Sequence, residues 1–205
     1  MSEAPPILLW LRRDLRLSDH PALSAAVASG RRIVPVFIRD AEVDALGAAP
    51  KWRLGLGVEK HRNALEKCGS GLVLRTGTPL ACLQRLIEET GATSVYWSRL
   101  YDPVSISRDR EIKETLKAQG VEARSFGGHL LFEPWSVETK TGGFYRVYSP
   151  MWRAVKDRDV ATPLAAPVRI APPEIWPKSE RLEEWSLDAA MARGATIVRP
   201  YLRLG

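Results

Sequence analysis

Two cysteines and three histidines among 205 residues leave little material for thiol or metal chemistry. Cys68 and Cys82 fall in helix-like segments without metal-like spacing, and read as reduced, partly buried thiols. His20, His61 and His129 stand far apart in sequence, with no carboxylate or cysteine at ligand spacing, so a metal site is not expected. His20 reads as a helix-start residue, His61 as a solvated helix position and His129 as a polar group at a strand end. There is no Gly-x-Ser-x-Gly elbow and no cysteine with a nearby base, which removes the support for hydrolase chemistry. No apolar stretch approaches the roughly 20 residues that span a bilayer. The N-terminus lacks a basic segment followed by an apolar core and a cleavage site, so no membrane association is expected and a cytoplasmic location is. Glycine motifs are equally uninformative. Gly55-Leu56-Gly57 lies inside a helical pattern, not in a strand-to-helix turn, and the Lys140–Gly143 segment has the look of a hairpin turn without a phosphate cradle.

What is present is an ordinary globular balance, 45% apolar and 26% charged, with a net charge of +6 that permits a polyanionic partner without demanding one. Strand and helix patterns alternate. Apolar runs at "PILLWLRR", "RRIVPVFIRD", "GLVLRTG", "TSVYWSRL" and "VEARSFGG" read as five strands, each of the first four followed by a helical stretch. Asp19 or Ser18 is placed to cap the first helix. Thr78-Pro79 and Asp102-Pro103 read as cap plus first-turn proline of later helices. Leu80, Leu83, Leu86 and Ile87 share one helix face. Short connections between alternating strands and helices predict an α/β fold: a Rossmann-like, doubly wound, five-stranded parallel sheet, order 3-2-1-4-5, with helices on both faces.

After Gly128 this rhythm stops. The proline-rich stretch 162–177 reads as an extended linker over the surface, and the last residues show one short helix at most. The expected division is a domain at 1–130 and a connector at 131–205, cut off before a further domain. Of the seven tryptophans, Trp10 and Trp97 are expected in the core. Trp135, Trp152, Trp176 and Trp185 are expected to await a partner surface. In the predicted sheet, ligands bind outside the strand ends where the winding reverses, between the first and fourth strands. Arg12, Arg13 and Asp14 lie on one side of that point, Ser98, Arg99, Tyr101 and Asp102 on the other, with Arg39-Asp40 nearby.

The segment "LWLRRDLRLSDHPAL" resembles the opening of the DNA photolyase and cryptochrome family, in which the first strand runs into Arg-x-Asp-Leu-Arg-x-x-Asp-x-x-Ala-Leu. The resemblance continues through "VPVFIRD", Trp52, "YWSRLYDP", Arg108-Asp109, "GHLLFEPW" and "GGFYRVYSPMW", in family order over about residues 6–155. It implies the antenna domain of a deoxyribodipyrimidine photolyase, an enzyme that splits cyclobutane pyrimidine dimers in damaged DNA by electron transfer from light-excited reduced FAD. FAD would sit in a helical C-terminal domain beyond Gly205, so no catalytic residue is expected here and this segment alone would be inactive and bind DNA weakly. The implied antenna chromophore is methenyltetrahydrofolate, 8-hydroxy-5-deazaflavin or FMN. Arg12, Asp14, Ile38, Asp40, Lys51, Leu54, Tyr101, Asp102 and Ser105 would surround it. Two departures bear on its identity. The family's Trp-Trp-Leu-His-x-Ser-Leu is Trp52-Arg53-Leu54-Gly55-Leu56-Gly57-Val58 here, and its Asn-Glu folate pair is Val104-Ser105. A cryptochrome-like blue-light signalling protein and a free-standing nucleotide- or flavin-binding module are the alternatives.

Overall fold

A computed structural model describes residues 4–203; the expectations about the first three residues and about the end at Gly205 lie outside them. Five strands, β1 (Ile7–Leu11), β2 (Ile33–Arg39), β3 (Val73–Thr76), β4 (Ser94–Ser98) and β5 (Glu122–Phe126), form one sheet in the order β3-β2-β1-β4-β5. Every pairing is parallel, with Ile7 opposite both Ile33 and Ser94. All five residues of β1 and of β4 are buried, as interior strands covered on both faces require. Helices α1 (Pro21–Ala28), α2 (Ala41–Asp44), α3 (Ala48–Lys67), α4 (Pro79–Thr90) and α5 (Pro103–Ala118) fill the connections.

Side-chain alternation along the strands splits the core in two. Ile7, Leu9, Leu11, Ile33 and Phe37 point to one face, against Ala22 and Leu23 of α1 and Val58 and Leu65 of α3. Leu8, Trp10, Val34, Val36 and Trp97 point to the other, against Leu83 and Leu86 of α4 and Ile112 and Leu116 of α5. Leu80 and Ile87 flank that second cluster, so the apolar face read from α4 is the buried one.

Helix starts follow the cap-plus-proline pattern with one correction. Asp102 accepts the Ser105 N–H at 2.9 Å and Pro103 opens α5. At α1 the cap is neither Asp19 nor Ser18 but His20, whose Nδ1 accepts the Leu23 N–H at 3.2 Å. Asp19 instead takes a left-handed backbone (φ 48°), a conformation that aspartate tolerates better than most residues. There its N–H donates to the Leu164 carbonyl at 2.7 Å.

That bond belongs to a second correction. The proline-rich stretch is extended, yet it is sewn to the domain and does not merely pass over it. Ile33 N–H donates to Ala171 O, Ile170 N–H to Cys68 O, and Glu180 N–H to Leu74 O, all within 2.8–3.0 Å. Ile170, Trp185 and Leu187 enter the α1/α3 core, and Trp185 lies 6.1 Å from the Phe37 ring while its indole N–H donates to Glu180 at 2.7 Å. Trp185 therefore needs no outside surface. Trp176 covers Gly71, where a Cβ would come within 3.1 Å of its ring. Trp135 and Trp152 stay exposed. After the proline-rich stretch there is one short α-helix, α7 (Arg193–Val198), with 3-10 turns at Leu182–Trp185 and Arg199–Tyr201, while α6 (Tyr148–Val155) lies ahead of that stretch. The turn at Thr139–Gly143 closes tightly, Thr139 N–H to Gly143 O at 2.9 Å, but no strands flank it.

Candidate functional site

A cavity of about 730 Å³ opens at the carboxyl ends of β1 and β2, beside the point where the winding reverses. That size suits a drug-sized or cofactor-sized ligand. Its wall is built in three parts: Trp10, Arg12, Arg13 and residues 15–18 from β1 and its exit; Phe37, Ile38, Asp40 and Glu42 from β2 and α2; Leu54, Gly57, His61 and Ala64 from α3. Spacings of three, four and three residues put the last four on one face of α3. Leu100, Arg108 and Ala166 complete the enclosure.

The wall nearest α5 is a closed set of charges. Arg12 meets both oxygens of Asp109, at 2.8 and 3.0 Å, and donates to the Ser98 carbonyl. Arg108 bridges Asp40 (3.3 Å), Glu42 (2.9 Å) and Asp109 (3.2 Å). The Trp97 indole N–H donates to Asp109 at 3.2 Å. Both guanidiniums lie over Trp10, 4.4 and 5.4 Å from its ring centre. Burial lowers the pKa of Arg12 and the neighbouring Arg108 adds to this, while Asp109 acts in the opposite sense. A carboxylate with both oxygens on one guanidinium nitrogen, and a carbonyl on another, let so buried a guanidinium keep its charge.

Beneath the cavity lies Asp14. Its Oδ1 accepts the Arg12 N–H at 2.8 Å, and its Oδ2 stands 3.0 Å from His20 Nε2. Burial works against the carboxylate, but His20, Ser98 and the Arg12 N–H outweigh it and hold Asp14 well below the usual carboxylate range. The three histidines, far apart in sequence, all come within electrostatic reach of this one carboxylate. His61 is not solvated as its helix pattern implied. It is 3% exposed, its Nε2 has no hydrogen-bond partner, and burial, with His20 nearby, pushes its pKa down to about 4. Among the described residues no group of three or more His, Cys, Asp or Glu side chains is arranged to hold a metal ion.

The sequence-derived candidates separate accordingly. Arg12, Ile38, Asp40 and Leu54 come together on the cavity wall. Asp14 sits one layer behind it. Lys51 turns away to donate to the Asp44 carbonyl at 2.8 Å. Tyr101 donates to Glu133 at 2.8 Å, and burial together with that carboxylate raises its pKa. Asp102 is spent on capping α5. Ser105 is fully buried behind Arg108, 3.4 Å from its guanidinium. Sequence reasoning passed over Trp10, Phe37, Gly57 and His61 as site residues. The face formed by Leu54, Gly57, His61 and Ala64 was the signal for the last two, since two small residues there leave room beside a polar one.

Comparison with known proteins places this architecture. The DNA photolyase family model matches residues 7–169. A deoxyribodipyrimidine photo-lyase of Agrobacterium fabrum is 44% identical over 183 residues, which cover 89% of this chain and 38% of that protein. Cryptochrome-2 of Arabidopsis thaliana is 34% identical over 164 residues, covering 78% of this chain and 27% of that one. The crystal structure of a bacterial class III photolyase from Agrobacterium tumefaciens superposes with a TM-score of 0.88 at 43% identity, over 91% of this chain and 39% of that one. The chain thus spans about two fifths of the length of these photolyases. With the doubly wound sheet, the switch-point cavity and a family match across most of its length, this chain belongs to the DNA photolyase family.

Proposed function

We propose that this chain is the antenna-binding part of a deoxyribodipyrimidine photolyase, a light-driven enzyme that repairs cyclobutane pyrimidine dimers in damaged DNA using FAD held by a helical domain outside this segment. Residues 1–130 form the chromophore domain in this reading, and 131–205 the connector toward the flavin domain. One observation carries it: a roomy cavity beside the switch point, walled by Trp10, Phe37, Ile38, Leu54 and Leu100 and rimmed by charge, in a chain of this family. An aromatic and aliphatic lining with a few fixed polar groups fits a planar conjugated ring. When bound, the chromophore would absorb light and pass the excitation to the flavin.

The residues of the chain supply position and dryness. Transfer of excitation depends on distance and orientation, so the ring must not rock. Trp10 is fixed between the Trp97 indole, 6.0 Å away, and the two guanidiniums above it, and Asp109 ties Arg12, Arg108 and Trp97 to one point. Leu54 and Leu100 would give a bound ring an apolar, water-excluding surface. Methenyltetrahydrofolate, 8-hydroxy-5-deazaflavin and FMN all fit this description, and Ile38, Asp40 and Leu54 would touch whichever one binds. Arg12 and Asp14 position Trp10 and the loop, and do not grip the ligand.

The test uses the intact protein. Purified from its native host, it is expected to absorb as flavin plus a second chromophore and to remove cyclobutane dimers from DNA under blue light. Absorption from flavin alone would remove the antenna role. FAD binding without dimer repair would favour the signalling role of the cryptochromes.

A further inference from the structure

Six basic side chains, those of Arg12, Arg13, Arg16, Arg53, Lys60 and Arg108, face the cavity against two carboxylates, Asp40 and Glu42, yet these bases are not equivalent, and Lys60 has an interaction of its own. Arg12 and Arg108 are neutralised within the α5 wall by Asp109, Asp40 and Glu42. Arg13 only approaches Glu42 and Asp102, at 3.9 and 3.8 Å, and its side chain is 63% exposed. Arg16 donates to the carbonyls of Asp19 and Gly128, neutral acceptors that leave its charge uncompensated. Arg53 is exposed on α3, lines the cavity, and has no hydrogen bond or ion pair to any described residue. Its spacing of four and eleven residues from Gly57 and Ala64 puts it on the same helix face as the two small residues of the cavity floor. The cavity is therefore apolar and charge-balanced inside, and positive at one side of its mouth.

We propose that Arg53 is a specificity-determining residue of this cavity: it selects planar ligands that carry an anionic tail, a phosphate or a carboxylate, over the same ring without one. This rests on the cavity being the chromophore site. Arg13 and Arg16 add to the field at the mouth, while Arg53 provides the free guanidinium that can meet two oxygens at once. Lys51, the other cation considered for such a tail, is turned toward Asp44.

The experiment titrates the FAD-saturated intact protein with three pairs of rings, each with and without its anionic tail: FMN and riboflavin, phosphorylated and unphosphorylated 8-hydroxy-5-deazaflavin, and methenyltetrahydrofolate and the analogue in which an uncharged benzamide replaces the benzoylglutamate. In the pair that binds, the tailed member is expected to bind about tenfold tighter at low salt, and the preference to shrink as salt rises. Arg53→Gln should bring the ratio near one while leaving the tail-free ring within twofold of its original affinity. Arg53→Lys should restore part of the preference. A tail preference that survives Arg53→Gln, equal binding of both members by the unaltered protein, or an equal loss for both members would overturn the assignment and leave the chromophore site standing. If no ring of any pair binds, the chromophore site itself falls, and this proposal with it.

Discussion

The two sides of the cavity use arginine in opposite ways. On the α5 side, Arg12 and Arg108 are part-buried, share Asp109, and act as struts that hold Trp10. On the α3 side, Arg53 stands in solvent with no partner among the described residues, and His61 is buried with a nitrogen left without a hydrogen bond. The first arrangement stabilises a shape. The second leaves interactions unmade, which in a folded protein is where a ligand has most to offer. Charge close to a site is thus a poor guide to binding unless the internal partners of each group are known.

The sharpest way to break the contrast is Asp109→Ala. It strips the shared carboxylate from two part-buried guanidiniums and is expected to cost about 3–5 kcal/mol in urea denaturation. Arg12→Met combined with Asp109→Leu should recover much of that loss, because it removes the charges together. A cost below about 1 kcal/mol would show that the α5 wall behaves like an ordinary exposed ion pair.

Next in size is the pH response of His61. An unfolded histidine takes up its proton near pH 6.5, whereas this buried imidazole resists to about pH 4. The unfolded state binds more protons between those values, so stability is full above pH 6.5 and falls as the pH drops through that window. The total is roughly 3 kcal/mol. Asp14 and His20 are the charged and titratable neighbours that act on it. His61→Gln should flatten the stability profile between pH 4 and 6.5 relative to the unaltered protein. An unchanged slope would mean that His61 is reached by solvent.

The smallest effect is at Gly57. A Cβ there would meet Leu15 at 3.5 Å, an ordinary contact. Gly57→Ala is therefore expected to stabilise the helix by about 0.5–1 kcal/mol, read as a higher urea midpoint. Lower stability would show that the floor of the cavity has no room to spare.

Much of the scaffold could be read from particular segments. The buried runs of β1 and β2, the Asp102-Pro103 helix start and the leucine face of α4 are local patterns, and they appear where they were expected. The cap of α1 was misplaced by one residue because histidine is an uncommon cap and Asp19 a common one. Trp185 looked stranded because its partner, Phe37, lies about 150 positions earlier in the sequence. The switch point follows from strand order, but the cavity lies beside it at the ends of β1 and β2, and Ser98, Arg99, Tyr101 and Asp102 do not line it. The membership of the site was less legible. Tyr101, Asp102 and Lys51 are close in sequence to the cavity but are drawn off by Glu133, by a helix N-terminus and by the Asp44 carbonyl.

By itself, then, the sequence determined the order of the strands and the family, because strand burial, crossover handedness and ordered motifs are carried by near neighbours in the chain. Only the tertiary structure decided which charges are free. Asp109 cancels Arg12 from 97 positions away, the three histidines come within electrostatic reach of Asp14 from distant segments, and Arg53 is left without a partner among the described residues. Such pairings depend on distances between side chains that have no fixed relation along the chain. They appear only when the sheet brings the ends of its strands together.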